Sequence, residues 1–166
     1  MKPDGKSGVA EAGARGFGSL AEAARSVGGV VRASVPLARA YRGSIDAALR
    51  ERVMVAVSEA NSCAGCSRVH QRLAVRAGVP DEDLEALGLG ELAELDERSR
   101  VAIVFAVDRS RSGFSGEPPP EVLEAATGCF TATEIEEVEA VARAMTLANL
   151  TVGTTTALRS RLPVFG

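Results

Sequence analysis

The chain has 166 residues, of which 46% are hydrophobic, 25% charged and only 4% aromatic, with a formal net charge of −3. That length suits one globular domain and is enough to bury a real core. Acids and bases interleave without a strongly basic patch, so no nucleic-acid partner is expected. The longest apolar run, Val101–Val107, falls far short of the roughly 20 residues a spanning helix requires, so no membrane association is expected either. Lys2 and Lys6 have no apolar stretch behind them, and an odd count of three Cys does not resemble a secreted disulfide framework. A cytoplasmic protein is the expectation. The 28 Ala, about one residue in six, set against few aromatic or β-branched residues, predict packed helices rather than a sandwich or barrel.

Residues 1–18 hold five Gly and Pro3 with no helical periodicity, and read as a flexible or loosely docked leader. One helical domain is expected over 19–166. A first helix starts near Ser19 and should break at the Gly28-Gly29 pair. A second apolar segment, Val30–Tyr41, contains Pro36 and ends at Gly43. Ser44 offers an N-cap, and from Ile45 the apolar residues repeat with helical spacing as far as Asn61-Ser62. A further helix from Cys63 should end at Gly78, a C′ glycine ahead of Pro80. Asp81–Leu87 reads as a short helix and Asp96–Ser112 as a longer, largely buried one. After a loop over 113–120, Pro120 opens a short helix ending near Gly128. Thr133 with Glu136 forms a capping-box pattern for a last long helix through about Leu158. The sum is an all-α, single-domain bundle.

The rarest reactive residues cluster. Of three Cys (Cys63, Cys66, Cys129) and one His (His70), three lie within eight residues. On a helix advancing about 100° per residue, positions 63, 66 and 70 fall in a stripe roughly 60° wide. If Asn61 or Ser62 caps that helix, both sulfurs sit in its first turn, where free N–H groups and the positive dipole end favour thiolate. An imidazole one turn on can take the thiol proton, and a thiol pair at this spacing can close to a disulfide after oxidation. Glu51 and Glu59, on the preceding helix, are both candidates to complete a proton relay, and spacing alone does not choose between them.

Two other arrangements fit the same residues. Cys63, Cys66 and His70 are zinc-ligand types and would need a fourth ligand from Cys129 or a carboxylate, but a second close ligand pair is missing. The two cysteines could instead be buried helix thiols beside a satisfied His. Cys129, next to Phe130 at a helix–loop junction, reads as an inert core thiol.

The stretch from Leu49 to His70, with Glu51, eleven residues, Cys63-Ala-Gly-Cys66, three residues and His70, resembles the alkylhydroperoxidase D-like core of the carboxymuconolactone decarboxylase superfamily. The clear resemblance covers about residues 36–112. It implies an alkylhydroperoxidase-like helical fold whose members assemble as trimers or dimers of trimers, and a thiol peroxidase reaction needing no metal, haem or other cofactor. By match of position, Cys66 would be the peroxidatic thiolate, Cys63 would resolve it, and Glu51 and His70 would move protons. The implied partners are a peroxide substrate and a dithiol reductant such as a lipoyl-bearing or thioredoxin-like protein. Gly65 stands where the best-known member type carries an additional His just before the second cysteine. Branches without the cysteines perform decarboxylase or isomerase chemistry, from which the intact Cys pair separates this chain. The alternatives retained are a disulfide oxidoreductase without peroxide turnover and a non-catalytic helical assembly protein.

Overall fold

A computed structural model describes residues 14–161, and among them the chain forms eight α-helices, one short 3-10 turn and no strand. In chain order these are α1 (Leu20–Arg32), α2 (Ser34–Tyr41), α3 (Ala47–Ala60), α4 (Ala64–Arg76), α5 (Asp81–Leu89), the turn Leu92–Glu94, α6 (Glu97–Arg111), α7 (Pro120–Cys129) and α8 (Ala132–Arg161). The expected all-α fold is what the chain adopts.

Helix α3 is the axis of the molecule because its apolar residues face two cores at once. Leu49, Val53, Met54 and Val57 face a main core shared with Ala102, Phe105, Val138, Val141 and Met145. Val55 and Ala56 face a second, smaller core with Ala86, Leu87, Leu95 and Ile103. Helices α4, α6 and α8 all pack on it. Val53, Val55 and Val57 are completely buried, and each such burial contributes roughly 1.5–3 kcal/mol. The same helix carries Glu51 into the interior, where it is 6% exposed.

The helix ends correct several expectations. Ser19 caps α1 by accepting from the Glu22 amide, as its position suggests. The Gly28-Gly29 pair does not break that helix, which continues to Arg32. Gly29 is buried, and a Cβ there would sit 3.1 Å from Arg143, so tertiary packing uses the missing side chain and overrides a propensity cost of about 1 kcal/mol per glycine. Asp46, not Ser44, caps α3, accepting from the Leu49 amide at 2.8 Å. Ser44 is already engaged, donating to the Arg39 carbonyl at the end of α2.

The last helix is capped by Thr131 rather than Thr133. Phe130 is extended, so the chain turns at once, and Thr131 and Glu134 exchange a reciprocal capping box. Glu134 also accepts from Arg98, whose guanidinium lies 4.2 Å over the Phe130 ring. The Thr131 amide, ahead of a smaller opposing effect of burial, and then the Thr131 hydroxyl and Arg98 hold the Glu134 carboxyl below its usual range. Asp96 caps α6 through the Ser99 amide. Partial burial would raise its carboxyl, but hydrogen bonds from Ser99, the Arg52 charge and the Arg98 amide together lower it. Helix α5 extends to Leu89 and α8 to Arg161, slightly beyond the expected ends, while Gly78 does close α4 with a positive φ of 85°.

Of the leader expected over 1–18, residues 1–13 lie outside the described ones. Residues 14–17 lie along α8, with the Phe17 amide donating to Thr154 Oγ1 at 2.8 Å. No helix among the described residues is long and apolar enough to cross a membrane.

Candidate redox site

The turn joining α3 to α4 decides where the sulfurs sit. Asn61 is the C-cap of α3, Ser62 takes the left-handed conformation at φ 55°, and the Cys63 amide donates back to the Ser58 carbonyl at 2.9 Å. With the Ser62 amide donating to the Glu59 carbonyl, this is a Schellman closure carrying Ser where Gly is usual. A non-glycine residue in that conformation stores on the order of 1 kcal/mol or more. The tight closure makes Cys63 itself, rather than Asn61 or Ser62, the N-cap residue of α4. No side-chain oxygen caps the helix.

Cys66 is therefore the third residue of α4, beside backbone N–H groups that have no partner within the helix. Cys63 and Cys66 are joined as a disulfide, with Cα atoms 5.3 Å apart. Cys63 is 1% exposed and Cys66 9%, so the second sulfur is the more accessible. The pair occupies one wall of the main core, and an oxidised pair closes there without leaving a buried polar group behind.

His70 lies one turn beyond Cys66 on α4, and its Nδ1 is 2.9 Å from Glu51 Oε2. Glu51 is 6% exposed, on the α3 face that looks onto α4. Its other oxygen lies 3.6 Å from Arg50 Nε, so two cationic or donor groups offset the cost of burying the carboxylate. A carboxylate on Nδ1 selects the tautomer with the proton on that nitrogen and leaves Nε2 as the basic one. Glu59, the other sequence candidate, accepts instead from the Ser67 hydroxyl. The structure thus joins Glu51 to His70, one turn beyond Cys66 on α4, and directs Glu59 to Ser67.

Two neighbours escaped the sequence reading. Arg50 stacks over the Tyr41 ring at 4.4 Å and donates to the Ala40 carbonyl. The Tyr41 hydroxyl points at Met54 Sδ, 3.9 Å away, and burial first, then the Glu51 charge, raise its pKa above the usual 10.0. The available signals were that Tyr41 is the single Tyr and that Arg50 adjoins Glu51. Cys129 is free, half-buried and packed against the main core. Among the described residues no group of three or more His, Cys, Asp or Glu is placed to hold a metal ion, so the zinc arrangement has no ligand set there.

The fold and site define an all-helical protein with a vicinal thiol pair at a helix N-terminus, backed by an imidazole and a buried carboxylate. Residues 32–108, from the last residue of α1 into α6, match the sequence profile of the carboxymuconolactone decarboxylase family. The family includes alkylhydroperoxidase D-like proteins. None of the curated proteins matches the sequence.

Proposed function

We propose that the protein is a thiol-dependent peroxidase that reduces hydrogen peroxide or organic hydroperoxides. The observation that carries this is the 2.9 Å contact between His70 Nδ1 and Glu51, set one helical turn from a closed Cys63–Cys66 pair. In the reduced protein, His70 Nε2 takes the proton of Cys66, whose thiolate is favoured by the first-turn N–H groups. The thiolate attacks one peroxide oxygen, the O–O bond breaks, and the departing alkoxide or hydroxide collects the proton from His70. Cys66 is left as a sulfenic acid. Cys63 then attacks that sulfur, forming the disulfide and releasing water. An external dithiol, such as a lipoyl group or thioredoxin-like protein, restores both thiols by exchange and becomes a disulfide itself. Glu51 holds the imidazole in its useful tautomer and stabilises the imidazolium while it carries the proton.

Stopped-flow oxidation of the reduced protein by hydrogen peroxide tests the proposal. Wild-type thiol loss should far outpace that of Cys66→Ser, and equal rates would overturn it. A second function, disulfide exchange without peroxide turnover, is favoured by Gly65, which leaves open space beside Cys66 where a further proton-moving side chain could stand. Fast exchange with small dithiols and no peroxide consumption would select it. Association into trimers or hexamers belongs to the same proposal. It is supported by the exposed apolar stripe Leu20, Val27 and Val31 on the outer face of α1.

A further inference from the structure

Away from the sulfurs, a cavity of about 610 Å³ opens between α1, the C-terminal end of α6 with its following loop, and α8. Its volume lies within the range of small-molecule sites. Its walls carry five arginines, Arg15, Arg25, Arg32, Arg111 and Arg143, against one acidic residue, Glu22. In a chain of net charge −3 that is a sharp local reversal of sign.

The cations are incompletely balanced. Arg15 pairs with Glu22, but Arg25, Arg32 and Arg111 enter no ion pair among the described residues. Arg143 pairs with Glu139 at 2.5 Å, yet the same carboxylate also serves the buried Arg109 at 3.1 Å. One negative charge therefore stands against two positive ones. Like charges gathered round one cavity raise its energy when empty, and an entering anion reverses that term.

Arg143 is also held in place by features that cost stability elsewhere. Its guanidinium lies 4.4 Å from the Phe114 ring. Phe114 adopts a positive φ of 58°, a conformation that is strained for a bulky residue and clusters at functional sites. The missing Cβ of Gly29, in the last turn of α1, leaves room for the same guanidinium, whose Nη1 would lie 3.1 Å from it. A helical glycine and a strained phenylalanine thus converge on one side chain facing the cavity. The lining also carries hydrogen-bonding groups already ordered: Asn61 Nδ2 donates to Ser110 Oγ at 3.2 Å, and Ser110 pairs with Thr146 at 2.8 Å.

We propose that this cavity binds a small organic anion carrying two or more carboxylate or phosphate groups. Guanidinium groups present paired donors that match the oxygens of either, which a set of five around one space provides from several directions. The site is separate from the peroxide chemistry. Its nearest link is Asn61, two residues before Cys63, which lines the cavity and closes α3.

Isothermal titration calorimetry of the full chain at low ionic strength tests this, with citrate and pyrophosphate as anionic probes and glycerol as a neutral one. Saturable one-to-one binding of citrate or pyrophosphate, absent for glycerol, is expected. Affinity should fall at least about tenfold in the Arg25→Gln, Arg111→Gln double variant and in Arg32→Gln. Arg76→Gln, exposed at the end of α4 and outside the cavity, should bind like wild type. The substituted residues are exposed, and circular dichroism verifies that each variant stays folded. Citrate binding the tighter assigns a carboxylate ligand, and pyrophosphate the tighter a phosphate one. No saturable binding of either anion, or equal binding by wild type and the cavity variants, overturns the proposal.

Discussion

Glu51 and His70, 19 positions apart, meet at 2.9 Å across the α3–α4 hairpin, a carboxylate contact at Nδ1 that favours the tautomer with its proton on that nitrogen. Replacing Glu51 by Gln keeps the shape of the side chain but puts a neutral amide in place of the carboxylate at His70 Nδ1. Oxidation of the reduced Cys pair by hydrogen peroxide should slow by about 10²-fold or more, the scale of a lost acid–base contribution. Thiol loss followed by stopped flow checks this, and an unchanged rate would detach Glu51 from the relay.

Tyr41 offers a direct probe of the same carboxylate, because the chain has one Tyr and no Trp. Burial and then the Glu51 charge raise its pKa above 10.0, opposed by Arg50. The phenolate absorbance should accordingly titrate above pH 10, earlier in Glu51→Gln and later in Arg50→Gln. The sign for stability follows. The folded state holds this proton more tightly than the unfolded chain, so the contribution is complete below the unfolded pKa and is lost as pH rises through the folded value. A Glu51→Gln titration identical to wild type would show that the two groups do not interact.

Gly65 is exposed in the first turn of α4, with nothing within 4 Å of where a Cβ would stand. Gly65→Ala should raise stability by about 0.5–1 kcal/mol, since helical glycine carries that much excess unfolded-state entropy. Gly65→His should fold equally well and quicken peroxide-driven thiol oxidation by placing a second imidazole beside Cys66. Thermal unfolding and stopped-flow rates measure the two effects separately. A lowered midpoint in Gly65→Ala would contradict the open space.

Gly153 on α8 touches the segment before α1. A Cβ there would lie 2.5 Å from the Ala14 carbonyl oxygen and against that of Arg15, both backbone atoms. Gly153→Ala should therefore displace residues 14–17 and break the hydrogen bond from Phe17 to Thr154 while leaving the two cores intact. Trypsin should then cut after Arg15 several times faster than in wild type. Equal cleavage would mean that the segment is held by other contacts.

The helices were legible in the sequence wherever local rules act alone. Asp96, Pro120 and Gly78 mark ends that short-range hydrogen bonding and backbone geometry enforce, and all three behave as expected. Expectations failed where a distant group intervened. Gly29 stays helical because Arg143 packs into its missing side chain, and Ser44 forgoes capping because the Arg39 carbonyl claims its hydroxyl. Thr131 displaced Thr133 as the cap because the extended Phe130 brings the turn two residues earlier.

The same division runs through the candidate sites. By itself the sequence determined the helical class and the grouping of Cys63, Cys66 and His70, because side chains three and four positions apart on a helix are neighbours by local geometry. It also named Glu51 and Glu59 as the two carboxylates within reach. Tertiary structure decided between them by the pairing of two helices, which gave Glu51 to His70 and Glu59 to Ser67. It alone assembled the arginine cavity, whose residues come from positions 15 to 143 and share no local pattern. Period and spacing are properties of one helix, whereas a contact between helices depends on which faces the core buries, and only the packed chain settles that.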